Sequence, residues 1–254
     1  MLTPHYFDLI LYKAYADLRS EAEKTYIGFL WWILDPIIFM SIFYIVFGLL
    51  LKRGTEDFIP FLLIGLVVWR WFQNTVSHGA NTILINRGLM RQVYLPKIIF
   101  PIVVILIDLT KFAFVFILLL IYLWIEGFPI GISYFALPIL LTIQLILIIA
   151  LTCFAAALVP FLPDLKILID HALHILFFLS GIFFAGSSIP EQYQFYFYLN
   201  PMASIIEGYR EILMYNQWPN GYALLVIGSL SLLGIVGSYR LLEHYDHVYP
   251  KIAI

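Results

Sequence analysis

The chain has 254 residues, of which 63% are hydrophobic and only 12% are charged. Soluble domains carry about twice that share of charged residues, so the composition excludes a soluble enzyme and a disordered chain. The net charge of −2 and the single cysteine, Cys153, exclude a basic nucleic-acid-binding surface and a disulfide framework, and the class that remains is an all-α polytopic membrane protein.

The segment His5–Lys24, which precedes the first long apolar run, has the pattern of an amphipathic helix. Its apolar residues recur at spacings of three and four and therefore share one face. Charged residues such as Arg19 fall elsewhere on the helix. The apolar face includes Phe7, Ile10, Leu11 and Tyr15. The pattern predicts a helix in the cytoplasmic interface of the membrane, within a cytoplasmic segment 1–29, with an ordinary cytosolic helix as the alternative.

Six segments are long and apolar enough to cross a membrane as helices, which takes about 20 residues. The predicted spans, within a transmembrane domain of residues 30–250, are Leu30–Leu51, Phe58–Val76, Ile98–Ile125, Tyr134–Phe161, Ile167–Ala185 and Tyr222–Leu242. If the N-terminus is inside the cell, most Lys and Arg residues outside the spans fall in cytoplasmic segments. The positive-inside rule therefore predicts that both termini are cytoplasmic.

The connection between the second and third predicted spans, Asn81–Val93, is amphipathic and contains Asn86, Arg87 and Arg91. It is too polar to extend a span, and its regular pattern is not typical of a flexible linker. We predict a short cytoplasmic helix that docks on another protein, with a solvated connector as the alternative.

The segment 186–221, between the last two predicted spans, is external in this topology and rich in aromatic residues such as Tyr196 and Tyr198. Its part Met202–Met214 has a helical pattern but is too short to span. We predict two short re-entrant or interfacial helices broken at Asn200–Pro201. Non-helical backbone at membrane depth must be buried in protein or line a wet cavity, so this segment is expected near a transport pathway. An aromatic belt without a transport role is the alternative.

Ionisable residues inside predicted spans are costly to bury and are therefore candidates for function. Asp35 precedes Pro36 in the first span. Arg70 lies in the second span, between Trp69 and Trp71. Asp35 and Arg70 can also lie near span ends, where water reaches them.

Two pairs of opposite charges have the spacing of an ion pair within one helix. Asp108 and Lys111 lie three residues apart in the third predicted span. Mutual neutralisation inside the helix bundle is the simple interpretation of this pair. Glu207 and Arg210 have the same spacing in the predicted re-entrant segment. For them an ion pair and a contact with an anionic substrate both stay open.

Enzyme motifs are absent from the sequence. It has no phosphate-binding loop, no zinc-protease signature and no nucleophile elbow. His171 and His174 lie three residues apart, but no third metal ligand accompanies them, so no metal site is predicted. The chain is predicted to have no catalytic residues and to be unable to hydrolyse ATP itself.

Three motifs of the chain resemble those of the ABC-2 type polysaccharide-export permeases, the membrane subunits that export O-antigen, capsule or teichoic-acid polymers. The first, at the start of the first span, consists of Gly28, Trp31, Asp35 and Pro36. The second, after the predicted cytoplasmic helix, consists of Pro96 and Pro101. The third, before the last span, consists of Asn200, Pro201, Glu207 and Arg210. The motifs occur in the family's order and cover nearly the whole chain.

The resemblance implies the ABC-2 exporter fold, with six spans, a gate helix at Phe7–Lys24 and two re-entrant helices within Ile189–Met214. Asn81–Val93 is then the coupling helix. The resemblance also implies a homodimer with a channel at its interface, in the bacterial inner membrane. Two copies of a separate ATPase subunit, which bind ATP and magnesium, are the implied partners. The implied substrate is a lipid-linked polysaccharide, with O-antigen as the first expectation and capsule as the second.

Aromatic rings offer flat apolar surfaces with polar tips, which suit the C–H faces and hydroxyls of a sugar polymer. The substrate-path candidates are Trp69, Arg70, Trp71, Tyr196, Tyr198, Glu207 and Arg210. A lipid-linked polymer carries a diphosphate, so cations are expected at the cytoplasmic entrance, where Arg70, Arg87 and Arg91 are candidates. Arg210 becomes the better candidate if the diphosphate crosses early to the outer leaflet.

Three other functions are weighed against this expectation. The nearest is an ABC-2 permease for drugs or small lipids. An ion-coupled secondary transporter that uses Asp35 or Asp108 is less favoured, because the two halves show no matching pair of interrupted spans. A lipid-processing membrane enzyme is disfavoured by the missing catalytic cluster.

Overall fold

The computed structural model describes residues 4–24, 26, 28–43, 45–46, 57–128 and 130–252. The regular secondary structure of this part of the chain is all helical, with no β-strand. Its α-helices are α1 Pro4–Glu23, α2 Trp31–Phe43, α3 Phe58–Ala80, α4 Thr82–Ile85, α5 Arg87–Gln92, α6 Ile99–Ile125, α7 Leu137–Leu158, α8 Asp164–Leu179, α9 Glu191–Tyr198, α10 Pro201–Leu213, α11 Gly221–His244 and α12 Tyr249–Ile252.

Four helical segments of the described chain are long and apolar enough to cross a membrane. They are α3, α6, α7 with the 3₁₀ turn Ile132–Ala136 that leads into it, and α11. These helices correspond to the second, third, fourth and sixth predicted spans. The chain is therefore a multi-pass membrane protein.

The first and fifth predicted spans give shorter helices. α2 ends at Phe43, and much of the rest of the predicted span Leu30–Leu51 lies outside the described residues. α8 ends at Leu179, earlier than the predicted Ala185. The turn after α8 contains Gly181 with φ +70°, a left-handed conformation that glycine adopts without strain. Six spans therefore stay a prediction.

The predicted coupling helix is two short helices rather than one. α4 and α5 are separated at Asn86, whose side-chain amide donates a hydrogen bond to the Thr82 carbonyl oxygen at 2.8 Å. This local bond closes the first turn and competes with continuation of the helix. The predicted break at Asn200–Pro201 is present, because α9 ends at Tyr198 and α10 begins at Pro201. Whether these two helices re-enter the membrane stays a prediction.

The buried residues form two large apolar clusters. The first, here called the central core, joins α3, α6, α7, α8, α10 and α11. Trp69 and Tyr209 are among its fully buried side chains. The Trp69 ring contacts the rings of Phe72 and Phe177, at centroid distances of 5.3 and 6.2 Å. The central core holds the long helices together.

The second cluster, here called the terminal core, gathers the two ends of the described chain. It joins Ile10 and Ala14 of α1 to Ile83 of α4, Met90 of α5 and Tyr249 of α12. The first turns of α6 and the last turns of α7 and α11 complete it. The predicted gate helix and the predicted coupling segment therefore share one apolar core.

Candidate functional site

A cavity of about 320 Å³ opens between α1, α2, α3 and α6. Its walls combine apolar side chains with five ionisable ones. The apolar residues are Trp31, Leu63, Leu66, Val67, Trp71, Phe112 and Val115. The ionisable residues are Glu21, Arg70, His78, Asp108 and Lys111. Charged groups among membrane-depth helices are costly, so this charged cavity is the first candidate for function.

An apolar groove of about 340 Å³ adjoins the charged cavity. The two share Leu63, Val67 and Val115 as wall residues. The groove continues along α2, α3 and α6, and its further lining is entirely hydrophobic or aromatic. The combined space therefore has a charged end and an apolar end, which is the distribution of polarity found in a lipid with a polar headgroup.

A chain of charges connects α1 to α6 and α3 at the charged cavity. The Lys111 ammonium donates to both carboxylate oxygens of Glu21 on α1, at 2.7 Å. Lys111 lies 3.9 Å from the Asp108 carboxylate, which itself lies 3.0 Å from Nδ1 of His78 on α3. The expected Asp108–Lys111 pair is thus present but long, because the flexible lysine side chain reaches across to Glu21. The Glu21–Lys111 ion pair therefore tethers α1 to α6.

The predicted apolar face of α1 is divided in two. Ile10 is buried in the terminal core, whereas Phe7, Leu11 and Tyr15 are between 44% and 63% exposed. The exposed residues recur every four positions and form a stripe along the helix. Arg19 pairs with Glu23 of its own helix at 2.7 Å. The exposed stripe is consistent with the predicted position at the membrane interface.

The three adjacent path candidates of α3 have different surroundings. Trp69 is fully buried, and its indole N–H donates to the Gln73 side chain at 3.0 Å. Because it is fully buried, Trp69 is a core residue and lines neither the charged cavity nor the apolar groove. Arg70 and Trp71 both line the charged cavity.

Trp71 combines a packed ring with an unused hydrogen-bond donor. Its ring stacks on Phe112 at 4.0 Å between centroids, so its position is well determined. Its buried indole N–H has no hydrogen-bond partner among the described residues. A buried donor without a partner is unfavourable by about 1–3 kcal/mol. An acceptor in the cavity, such as a phosphate or sugar oxygen, would satisfy it.

Arg210 is not placed for substrate contact. Its side chain is 4% exposed and donates to the carbonyl oxygens of Phe61, Gly181 and Ile182 at 2.7–3.2 Å. The Arg210 donors bind the start of α3 and the turn after α8. The structure therefore favours neither the predicted ion pair with Glu207 nor the predicted anion contact. Sequence reasoning missed this role because the carbonyl partners lie 28 to 149 residues away.

The other residues of the third motif also shape this turn. The Asn200 side chain caps α10 by accepting from the Met202 N–H at 3.1 Å and donates to the Ser180 hydroxyl at 2.7 Å. Pro201 takes the first helical position, where its missing N–H has no cost. The Glu207 carboxylate and the Tyr198 hydroxyl both lie beside Gly186. The motif therefore has a structural explanation in the cap and anchor of α10.

Tyr196, by contrast, is 68% exposed on α9. Tyr198, on the same helix, is 39% exposed. The further exposed aromatic residues of segment 186–221 are Tyr193, Phe195, Tyr215 and Trp218.

The predicted coupling segment, α4 and α5, exposes its two cations. Ile83 and Met90 are buried in the terminal core, whereas Arg87 and Arg91 are exposed. Pro96 lies in the linker that follows, and Pro101 lies in the first turn of α6, where proline is tolerated. The apolar residues therefore anchor the segment, and both arginines lie on its exposed side.

The first motif is described only in part. Gly28 has φ +60° between α1 and α2, and an added Cβ would lie 3.2 Å from the Ala22 carbonyl oxygen. Only glycine adopts this turn without strain. Trp31 lines the charged cavity. The side chains of Asp35 and Pro36 lie outside the described part of the chain.

Comparison with known proteins decides the family. The sequence model of the ABC-2 type transporter family matches residues 18–214, most of the chain. The chain belongs to the ABC-2 type transporter family. The resemblance drawn from the three motifs is confirmed at the level of the family.

Named relatives of this ABC-2 chain align over nearly its whole length. It is 24% identical over 232 residues to an O-antigen export system permease protein RfbA of Klebsiella pneumoniae, which covers 91% of this chain and 90% of that protein. It is 26% identical to an RfbA of Myxococcus xanthus, over 90% of this chain and 88% of that protein. It is 28% identical to a polysialic acid transport protein KpsM of Escherichia coli, over 85% of both.

Proposed function

We propose that this ABC-2 chain is the membrane permease subunit of an ATP-driven exporter of lipid-linked polysaccharide. O-antigen is the first expected substrate and capsular polysaccharide the second. The observation that carries the proposal is the near full-length similarity to permeases whose names state polysaccharide export. We further propose a homodimer with two copies of a separate ATPase in the bacterial inner membrane, six spans and cytoplasmic termini.

The combined cavity and groove support a lipid-linked substrate. The charged end offers Arg70 and the unpartnered indole N–H of Trp71 to phosphate or sugar oxygens. The apolar groove offers a surface for a hydrocarbon chain. An amphiphile that enters from the cytoplasmic leaflet can place its head and its chain in these two parts together.

The terminal core supports coupling to ATP hydrolysis. It places α4 and α5 in one cluster with α1 and the start of α6. Movement of the coupling segment by a partner ATPase is therefore transmitted to α1 and to the Glu21–Lys111 tether. We propose that this movement opens the path between the two protomers, through which the polymer passes in repeated cycles of ATP hydrolysis.

The proposal is tested by co-purification after co-expression with an ATPase encoded beside this chain. We expect a stable complex of two permease and two ATPase subunits, with the mass measured by native mass spectrometry. The Arg87→Glu/Arg91→Glu double variant should lower the bound ATPase about tenfold, because reversed charges at an interface disfavour association. The matched control is Arg240→Glu, an exposed charge on α11. A permease that purifies alone and exports without ATP would overturn the proposal.

Export of a small lipid is the second candidate, because the combined cavity and groove could hold one complete small amphiphile. The two candidates differ in what is released outside the cell. A polysaccharide exporter delivers polymer that surface antibodies detect, whereas a small-lipid exporter leaves the polymer inside and enriches the lipid in the outer leaflet.

A further inference from the structure

The chain that follows α11 returns to the linker between the coupling segment and α6. Asp246, 9% exposed, accepts a hydrogen bond from the Lys97 main-chain N–H at 3.0 Å through one carboxylate oxygen. Its other oxygen accepts from the Tyr94 hydroxyl at 2.8 Å. Tyr94 and Lys97 both lie between the coupling segment and α6, about 150 residues earlier in the chain. One carboxylate therefore joins the C-terminal segment to this linker.

The Lys97 ammonium adds a charge to the same contact. The side chain is 1% exposed, and its ammonium donates to the Leu95 carbonyl oxygen at 2.9 Å. The ammonium lies 3.7 Å from Asp246 and 4.7 Å from the centre of the Tyr94 ring. A buried ammonium needs a nearby opposite charge, so Asp246 compensates it. Tyr94, Lys97 and Asp246 are here called the clasp.

Beyond the clasp, the chain reaches the coupling segment itself. Tyr249 at the start of α12 is fully buried, and its hydroxyl donates to the Ala157 carbonyl oxygen at 3.1 Å. The Tyr249 ring also contacts the ring of Phe161 at 5.5 Å between centroids. These contacts anchor α12 to the end of α7, and α12 also lies in contact with α5. The clasp at Asp246 and the buried Tyr249 thus fix the C-terminal segment at two points between the end of α11 and α12.

The outer surfaces of α5 and α12 have the same charge character. Arg87 and Arg91 are exposed on α5, and Lys251 is exposed on α12. Ile252 of α12 is 36% exposed and Ile85 beside α5 is 69% exposed. The neighbouring helices α4, α5 and α12 together present exposed cations and exposed isoleucines, which suit a partner surface that is acidic and partly apolar.

We propose that α12 and the coupling segment form one docking surface for the partner ATPase, with the clasp holding them in register. This inference rests on the proposed function and adds the C-terminal segment to the interface. A basic patch that binds anionic lipid needs no fixed geometry. The clasp fixes the C-terminal segment through a buried carboxylate, a buried ammonium and a tyrosine. A segment held in one position favours a protein partner of matching shape.

The first test labels cysteines introduced at three positions. The background is low because the single native cysteine, Cys153, is buried. The variants Ile85→Cys, Ile252→Cys and Ile130→Cys place a thiol on the coupling segment, on α12 and in the connection between α6 and α7. A water-soluble maleimide labels each variant in detergent, with and without bound ATPase. Bound ATPase should slow labelling of Ile85→Cys and Ile252→Cys about tenfold and leave Ile130→Cys unchanged, since docking buries exposed residues.

The outcomes separate the docking surface from the proposed function. Protection of Ile85→Cys without protection of Ile252→Cys overturns the composite surface and leaves the coupling assignment intact. Protection at neither position overturns both. If vesicles of anionic phospholipid without ATPase protect Ile252→Cys as fully as the ATPase does, the segment binds a membrane and the inference is wrong.

The second test weakens the clasp while leaving the surface residues in place. In the complex, Asp246→Asn should restore labelling of Ile252→Cys several-fold and lower the polymer exported per ATP hydrolysed by about threefold to tenfold, since coupling needs the segment in register. The matched control is Glu243→Gln, an exposed acid close to the same linker, which should change neither quantity. If Asp246→Asn does not fold, Tyr94→Phe removes one hydrogen bond and gives a milder form of the test. Unchanged labelling and unchanged export per ATP in both variants would refute the role of the clasp.

Discussion

The central core and the terminal core use their buried polar groups differently. In the central core, Arg210 donates to main-chain carbonyl oxygens, and Gln144 donates to the Val68 carbonyl while accepting from Tyr209. In the terminal core, Lys97 and Asp246 form a charged pair close to the surface. The first arrangement satisfies the backbone of packed helices, and the second joins two segments that lie 149 positions apart in the chain. Substitutions in the central core should therefore affect stability most, and those in the terminal core should affect coupling most.

The largest expected loss of stability comes from Arg210→Met. The change leaves the carbonyl oxygens of Phe61, Gly181 and Ile182 without their donor in a buried site. We expect unfolding in detergent to be easier by about 3–5 kcal/mol, because each buried acceptor left without this donor costs about 1–3 kcal/mol. Thermal unfolding of the purified variant measures this, with Arg240→Met as the exposed control. A stable Arg210→Met protein that has lost export would instead place Arg210 in the substrate path.

A smaller loss is expected from Gln144→Leu. The side chain is fully buried, and its removal strips the Val68 carbonyl and the Tyr209 hydroxyl of their partners. Each unsatisfied group costs about 1–3 kcal/mol. The control Thr142→Val removes an exposed hydroxyl two residues away and should be nearly neutral. Equal unfolding temperatures for the two variants would show that the hydrogen bonds of Gln144 do not stabilise the central core.

Glu21→Gln tests the tether between α1 and α6. Glu21 is half exposed, so loss of its contact with Lys111 should cost no more than about 1 kcal/mol. The expected result is faster hydrogen exchange along α1 with little change in global stability. Glu23→Gln, which removes a pair within α1, is the matched control. Slow exchange of α1 in Glu21→Gln would show that the apolar contacts of Ile10 and Ala14 suffice to hold it.

Trp71→Phe has the smallest expected effect on stability and separates packing from binding. Phenylalanine keeps an aromatic ring against Phe112 but removes the unpartnered indole N–H. Stability should change by less than about 1 kcal/mol, because removing an unsatisfied buried donor offsets part of the packing lost with the smaller ring. Export should nevertheless fall, as measured by the rate of polymer appearance at the cell surface. A normal export rate in Trp71→Phe would exclude this N–H as a substrate contact.

The sequence predicts the long helices well and the contacts between distant residues poorly. The predicted Ile98–Ile125 agrees with α6, and the predicted Phe58–Val76 agrees with α3 except for four residues at its end. Long apolar runs are local signals, so they need no tertiary information. α8 ends early because Gly181 permits a turn that hydropathy does not register.

The site was predicted only in outline for the same reason. Composition marks charged and aromatic residues within spans but does not show which side of a helix they occupy. The sequence alone therefore places Trp69 and Arg210 in a substrate path, although both are buried. It pairs Lys111 with its neighbour Asp108, whereas the shorter contact of Lys111 is with Glu21, 90 residues away. The clasp, which joins residues 149 positions apart, has no local signal in the sequence.

The central claim is that this chain exports lipid-linked polysaccharide at the expense of ATP hydrolysed by a separate subunit. Inside-out membrane vesicles that contain the chain and its ATPase test it directly, with lipid-linked polysaccharide supplied on the outside. We predict uptake into the vesicles that requires ATP and is lost when the ATPase is omitted. Uptake that continues without the ATPase and stops when an ion gradient is collapsed would contradict the claim.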